Sequence, residues 1–133
     1  MQYNYNDGGR SKYFKSEARD CVTRAVAIAT GRDYKEVYNE VAKIIGYTPR
    51  NAIKKKAEVK KIMQHFGFKW VSTMGIGTGC TTHLREDELP SGIIVASVSH
   101  HLTCIIDGVI NDTFDPSRDG TRCVYGYWYI EEV

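Results

Sequence analysis

Apolar residues recur with helical spacing in the first half of this chain and with strand spacing in the second. Val22, Ala25, Val26 and Ala29 fall at i, i+3, i+4 and i+7, one buried stripe, behind Asp20 as N-cap and ahead of Gly31 as stop. The spacing predicts a helix that opens at Cys21. A second stripe of Tyr34, Val37, Tyr38, Val41, Ile44 and Ile45 follows Asp33 and Glu36, spaced as a capping box, and ends at Gly46. After a loop through Pro49, the positions of Val59, Ile62, Met63 and Phe66 predict a third helix from the mid-50s to Phe66, stopped by Gly67.

The texture changes at Phe68. Residues 68–71, 93–99, 102–106, 109–114 and 123–130 are short runs rich in β-branched and aromatic residues, and they read as strands. Residues 74–79 form a glycine-rich turn, and residues 81–89 read as a short helix or an irregular segment. Helices first and strands second predict one α+β domain over residues 1–133, with N-terminal helices packed on a C-terminal antiparallel sheet. Residues 1–19, polar and aromatic around Gly8-Gly9, read as an irregular N-terminal arm.

Asp107-Gly108 between two apolar runs signals a two-residue hairpin turn. Such a turn pairs Ile106 with Val109 and carries the register back to Thr103 opposite Asp112 and His101 opposite Phe114. Side chains alternate along a strand, so His101, Thr103 and Ile105 share a face with Ile110, Asp112 and Phe114. His101 and Asp112 are then diagonal neighbours within side-chain reach, whereas His100 points to the other face. Far upstream, Cys21 occupies the first turn of its helix, where free backbone N–H groups and the positive end of the dipole favour a thiolate. Cys21, His101 and Asp112 are therefore the candidate site residues. Taken singly, each has a plainer reading: a small buried residue, a hydrogen-bonded strand histidine, a turn carboxylate.

Composition narrows the field. Eighteen Lys and Arg against sixteen Asp and Glu leave a net charge of +2, which does not call for a nucleic-acid partner. Lys54-Lys55-Lys56 and Lys60-Lys61 read as the solvated face of the third helix. No apolar run has the length of a membrane span, and the first ten residues lack the apolar core of a signal peptide. The chain thus reads as a soluble, cytoplasmic protein without a membrane partner. Its four cysteines, Cys21, Cys80, Cys104 and Cys123, are widely spaced with no C-x-x-C pair, and in a reducing compartment read as buried or reactive thiols rather than disulfides. Cys80 and His83 have a spacing that zinc can use, but no second pair accompanies them, and no metal site is expected. The Gly75–Gly79 segment lacks the lysine and serine of a phosphate loop.

Cysteine at a helix start, then histidine on a later strand, then aspartate on the next strand resembles the papain-like cysteine peptidase superfamily. The stretches Thr81-Thr82-His83-Leu84, Leu89-Pro90-Ser91-Gly92-Ile93-Ile94-Val95, His101-Leu102-Thr103 and Asp107-Gly108-Val109-Ile110-Asn111-Asp112-Thr113 are similar to small uncharacterised phage and prophage proteins. Those are grouped near the leader-peptide-processing peptidases. The resemblance spans about Asp7 to Trp128. It implies a papain-like fold, Cys21 as nucleophile, His101 as general base and acid, and Asp112 as the residue that orients the imidazole. The implied reaction is hydrolysis of a peptide or amide bond in a peptide or protein substrate, with neither metal nor organic cofactor.

One position departs from the pattern. The superfamily often carries a glutamine five or six residues before the cysteine, to stabilise the oxyanion. Here those positions hold Ser16 and Lys15, and the only glutamines are Gln2 and Gln64. The alternative is therefore a catalytically weak or inactive papain-like binding module of phage origin that engages a host protein.

Overall fold

A computed structural model describes residues 1–16 and 18–131. Among the described residues three helices form where the apolar stripes run: α1 Cys21–Thr30, α2 Tyr34–Ile45 and α3 Lys56–His65. The second helix is capped as its sequence dictates. The Asp33 carboxylate accepts the Glu36 N–H at 3.3 Å, and Gly46 closes the far end with φ +82° and its N–H on the Ala42 carbonyl.

The described residues form six strands, in chain order β1 Gln2–Tyr5, β2 Phe68–Ser72, β3 Ile93–Val98, β4 His101–Ile106, β5 Val109–Asp112 and β6 Gly126–Ile130. They assemble into one sheet in the order β1-β5-β4-β3-β6-β2. The domain is α+β as expected, but the sheet is mixed rather than antiparallel, because β1 runs parallel to β5. The reading of residues 1–19 as irregular is corrected here. Gln2 to Tyr5 pair with Val109 to Asp112 and form the sheet edge beside the hairpin. Residues 81–89 are irregular apart from one 3-10 turn at Glu86–Glu88.

Strand alternation divides the core in two. The helices cover one face, where Val26, Val37, Val41, Ile62 and Met63 pack on Val95, Leu102, Cys104 and Trp128. The opposite face buries Ile94, Ala96, Ile105 and Ile110 beneath Leu84 and Val124 from the long connections. Two glycines permit close approach. Gly8, at φ +70°, brings the N-terminal segment to within 3.2 Å of the Arg24 carbonyl, measured from where a Cβ would stand. At Gly126 a Cβ would meet the Trp70 ring on the neighbouring strand at 2.3 Å, so a side chain there would displace that ring. No helix among the described residues is long and apolar enough to cross a membrane.

The cysteine reading also needs correction. Cys80 and Cys123 form a disulfide, while Cys21 and Cys104 are free. An isolated bridge between His83 and Cys123 brings the 80s loop against the segment leading into β6, and the sulfurs meet there. Two cysteines 43 positions apart carry no local sign of such pairing.

Candidate active site

The Asp107-Gly108 turn sets the register expected from the sequence: Ile106 pairs with Val109, Ile105 with Ile110 and Cys104 with Asn111. Asp107 takes φ +46° and Gly108 φ +79°, as a tight two-residue turn between twisted strands requires. The register brings His101, the first residue of β4, beside Asp112, the last of β5. His101 Nε2 lies 2.6 Å from Asp112 Oδ2, and both side chains are buried. His100 sits in the turn between β3 and β4 at φ +57° and is exposed. It makes no contact with Asp112 among the described hydrogen bonds and ion pairs.

The N-terminus of α1 packs over β4 and places Cys21 within hydrogen-bonding reach of the His101 imidazole. Asp112 holds Nε2, which leaves Nδ1 for the thiol. Burial pushes the Cys21 thiol up, but hydrogen bonding to His101, the imidazolium charge and the Leu102 N–H outweigh it and hold the thiol below its ordinary range. The imidazole behaves in mirror image. Burial alone would lower it, yet the Asp112 hydrogen bond and the neighbouring thiolate raise it to about 9. Asp112 is pushed up by burial and held down more strongly by His101 and by the Thr113 N–H, which it accepts at 2.7 Å. All three shifts favour the state in which sulfur is anionic, imidazole cationic and carboxylate anionic. The other free thiol, Cys104, is driven the opposite way, to about 12, by burial and the Asp112 charge.

A buried chain of charges stands behind this trio. Arg24, one turn into α1, hydrogen-bonds Asp20 through Nη1 and places Nη2 3.6 Å from Asp112 Oδ1. Asp20 in turn accepts from the Tyr34 hydroxyl and from Arg10 Nη1, the latter at 3.2 Å. Arg10 also donates from Nη1 to the Tyr34 oxygen at 2.9 Å, and its guanidinium lies 4.8 Å from the centre of the Phe14 ring. Asp20 occupies the N-cap position, but its carboxylate makes no capping bond because the two arginines and the tyrosine draw it inward. The first-turn amides of α1, those of Cys21 and Val22 among them, thus gain no side-chain cap where they border the cleft. The N-terminal segment braces the other end. Asn6 N–H and the Tyr3 hydroxyl both donate to the Asp112 carbonyl, at 2.9 and 3.1 Å.

Arg10, Asp20, Arg24 and the β1 segment escape a reading based on local pattern. The signal that was present is the pair Asp20 and Arg24 at i,i+4. A charged residue in the middle of a helix whose neighbours Thr23, Ala25 and Val26 are all buried has to find a buried partner.

Cys21 lies on the wall of an open cleft of about 2000 Å³ lined by both halves of the domain, including Phe14, Val59, Trp70, Phe114 and Trp128. No protein-family model, curated protein or solved structure matches the chain.

Proposed function

We propose that this chain is a papain-like thiol hydrolase, a cysteine peptidase or amidase, with Cys21 as nucleophile, His101 as general base and acid, and Asp112 as the orienting carboxylate. The observation that carries the reading is the Cys21 thiol placed within reach of the His101 imidazole at the wall of the cleft, with Nε2 of that imidazole 2.6 Å from Asp112 Oδ2. In this reading the imidazole holds the thiol proton before substrate arrives. The thiolate attacks the acyl carbon, forming a C–S bond as the carbonyl π pair moves to oxygen. The first-turn N–H groups of α1 face that oxyanion, at the positive end of the helix dipole. His101 then protonates the departing amine, the C–N bond breaks and a thioester remains. Water, deprotonated by His101, releases the acid and restores the thiolate. Asp112 stays ionised throughout and keeps Nδ1 directed at sulfur.

One observation favours a second reading. Lys15 and Ser16 occupy the positions where the superfamily often has its oxyanion glutamine, and both line the cleft. Loss of one such donor costs about two to three orders of magnitude in rate. The second reading is a weak or inactive binding module, a phage or prophage product that engages a host protein in the bacterial cytoplasm.

Alkylation by iodoacetamide across pH, with the labelled residue located by peptide mapping, separates the two. An activated site labels at Cys21 with an apparent pKa well below the ordinary thiol value of about 8.5, while Cys104 stays inert. Labelling of Cys21 with an unshifted pKa would falsify the hydrolase reading.

A further inference from the structure

We infer that the cleft beside Cys21 receives an acidic stretch of polypeptide, with carboxylates at alternate positions facing Lys56 and Lys60; this rests on the thiol-hydrolase reading. The cleft is strongly unbalanced in charge. It takes eight of the chain's eighteen Lys and Arg residues and, among the fourteen acidic residues that are described, Asp7 alone. Asp7 is occupied internally, accepting the Gly9 N–H at 2.9 Å and the Ser11 N–H at 3.1 Å. Arg10 and Arg24 are spent on Asp20 and Asp112, and Lys69 on Glu131. Lys54, Lys56 and Lys60 line the same cleft, are exposed, and have no ion-pair partner among the described residues. A chain with a net charge of only +2 thus concentrates positive charge around one thiol.

Geometry narrows the occupant. Lys56, Lys60 and Gln64 follow one another at i, i+4 and i+8, so they form a single row along the wall that α3 contributes. Four residues of helix rise about 6 Å, and alternate side chains of an extended peptide stand about 6.6 Å apart. An extended substrate therefore presents every second side chain to successive members of this row. The volume of about 2000 Å³ exceeds the range of roughly 300–1,000 Å³ typical of small-molecule sites and suits a polymer. Trp70 and Phe114, each more than a third exposed, supply apolar contact for the side chains between the acidic ones. An acyl-directed thiol at the wall makes the polymer a polypeptide.

The test uses two readouts on the full chain. Iodoacetamide and iodoacetate both alkylate by thiolate displacement of iodide, forming C–S and breaking C–I, and differ in charge. The neutral reagent reports whether Cys21 is activated, and the ratio of the two rates reports the field of the cleft. In K54E/K56E/K60E the ratio of iodoacetate to iodoacetamide should fall at least about threefold at low ionic strength, and the difference should shrink in salt. A control with the same net charge, K43E/K55E/K61E, reverses exposed lysines away from the cleft and should leave the ratio near wild type. In parallel, anisotropy on the Cys21→Ser protein follows a labelled octapeptide of alternating glutamate and alanine. It should bind, lose at least about tenfold in affinity in K54E/K56E/K60E, and outcompete the lysine–alanine counterpart. Equal binding of the two peptides, or an effect of the control as large as that of the cleft variant, overturns the inference. Tighter binding of an eight-nucleotide oligothymidylate overturns it in favour of nucleic acid. A slow iodoacetamide reaction with acidic-peptide binding intact defeats the hydrolase reading alone.

Discussion

Arg24 Nη2 lies 3.6 Å from Asp112 Oδ1, with 8% of the arginine side chain and 3% of the aspartate exposed. The same guanidinium binds Asp20, so one cation on α1 joins the helix start that carries Cys21 to the strand end that carries Asp112. In water such a pair contributes little, but at this burial the loss of one partner leaves an uncompensated charge.

Arg24→Met should therefore destabilise the fold by about 3–5 kcal/mol, read as a lowered urea midpoint. Arg24→Lys keeps a charge but loses the fork that reaches two carboxylates. Its folded fraction should survive while the pH profile of Cys21 alkylation moves upward. An unchanged profile in the lysine variant would show that Arg24 only holds the fold.

The two adjacent histidines separate cleanly. His101→Ala removes both the hydrogen bond and the positive charge that hold the Cys21 thiol down, so its alkylation pKa should rise to the ordinary thiol range or above, since burial remains. His100→Ala, in the exposed turn, should leave the profile within a few tenths of a unit of wild type. The opposite pattern would place the site on the other side of β4.

Asp112→Asn preserves shape and removes charge. The imidazole then loses its strongest support and falls from about 9, and the Cys21 thiol rises with it. Any peptide or amide turnover should drop by about two to four orders of magnitude. A large fall in melting temperature with unchanged turnover per folded molecule would assign Asp112 a purely structural role.

Stability against pH carries a signature of the pair. A base whose pKa is raised on folding stabilises the fold fully below its unfolded value and loses that contribution as pH rises through the folded value. For His101 the window opens at 6.5 and closes near 9. In the native protein, once Cys21 has ionised, the folded state holds imidazolium and thiolate while the unfolded state holds imidazole and thiol. The proton counts match, and stability is flat. Cys21→Ser removes the compensation while Asp112 still raises the imidazole. Its melting temperature should fall from about pH 6.5 upward while wild type stays level; parallel curves would mean that Cys21 and His101 do not share a proton.

The Cys80–Cys123 disulfide closes a loop with a sequence separation of 43, worth up to about 4 kcal/mol in the chain-entropy account. Dithiothreitol should lower the urea midpoint accordingly and leave Cys21 alkylation unaltered. In a reducing compartment the same two residues would stand as thiols, and the lower midpoint would apply. A midpoint indifferent to reductant would contradict the bond.

What the chain's own pattern determines is local. The helix starting at Cys21, the capped helix after Asp33 and the 106–109 hairpin are set by periodicity and by two or three punctuating residues each. The parity that puts His101 rather than His100 beside Asp112 follows from that turn alone, since a strand's side chains alternate with period two. Tertiary structure decides what pairs across long separations. Gln2 to Tyr5 become a strand only because the edge of β5, more than a hundred residues away, offers unpaired backbone groups. Asp20 leaves its cap because Arg10 and Tyr34 approach from other segments. Cys80 finds Cys123 because two loops meet beneath the sheet. None of these partners leaves a mark within a few residues of the other, because the free energy that selects them comes from burial and charge compensation in the assembled core.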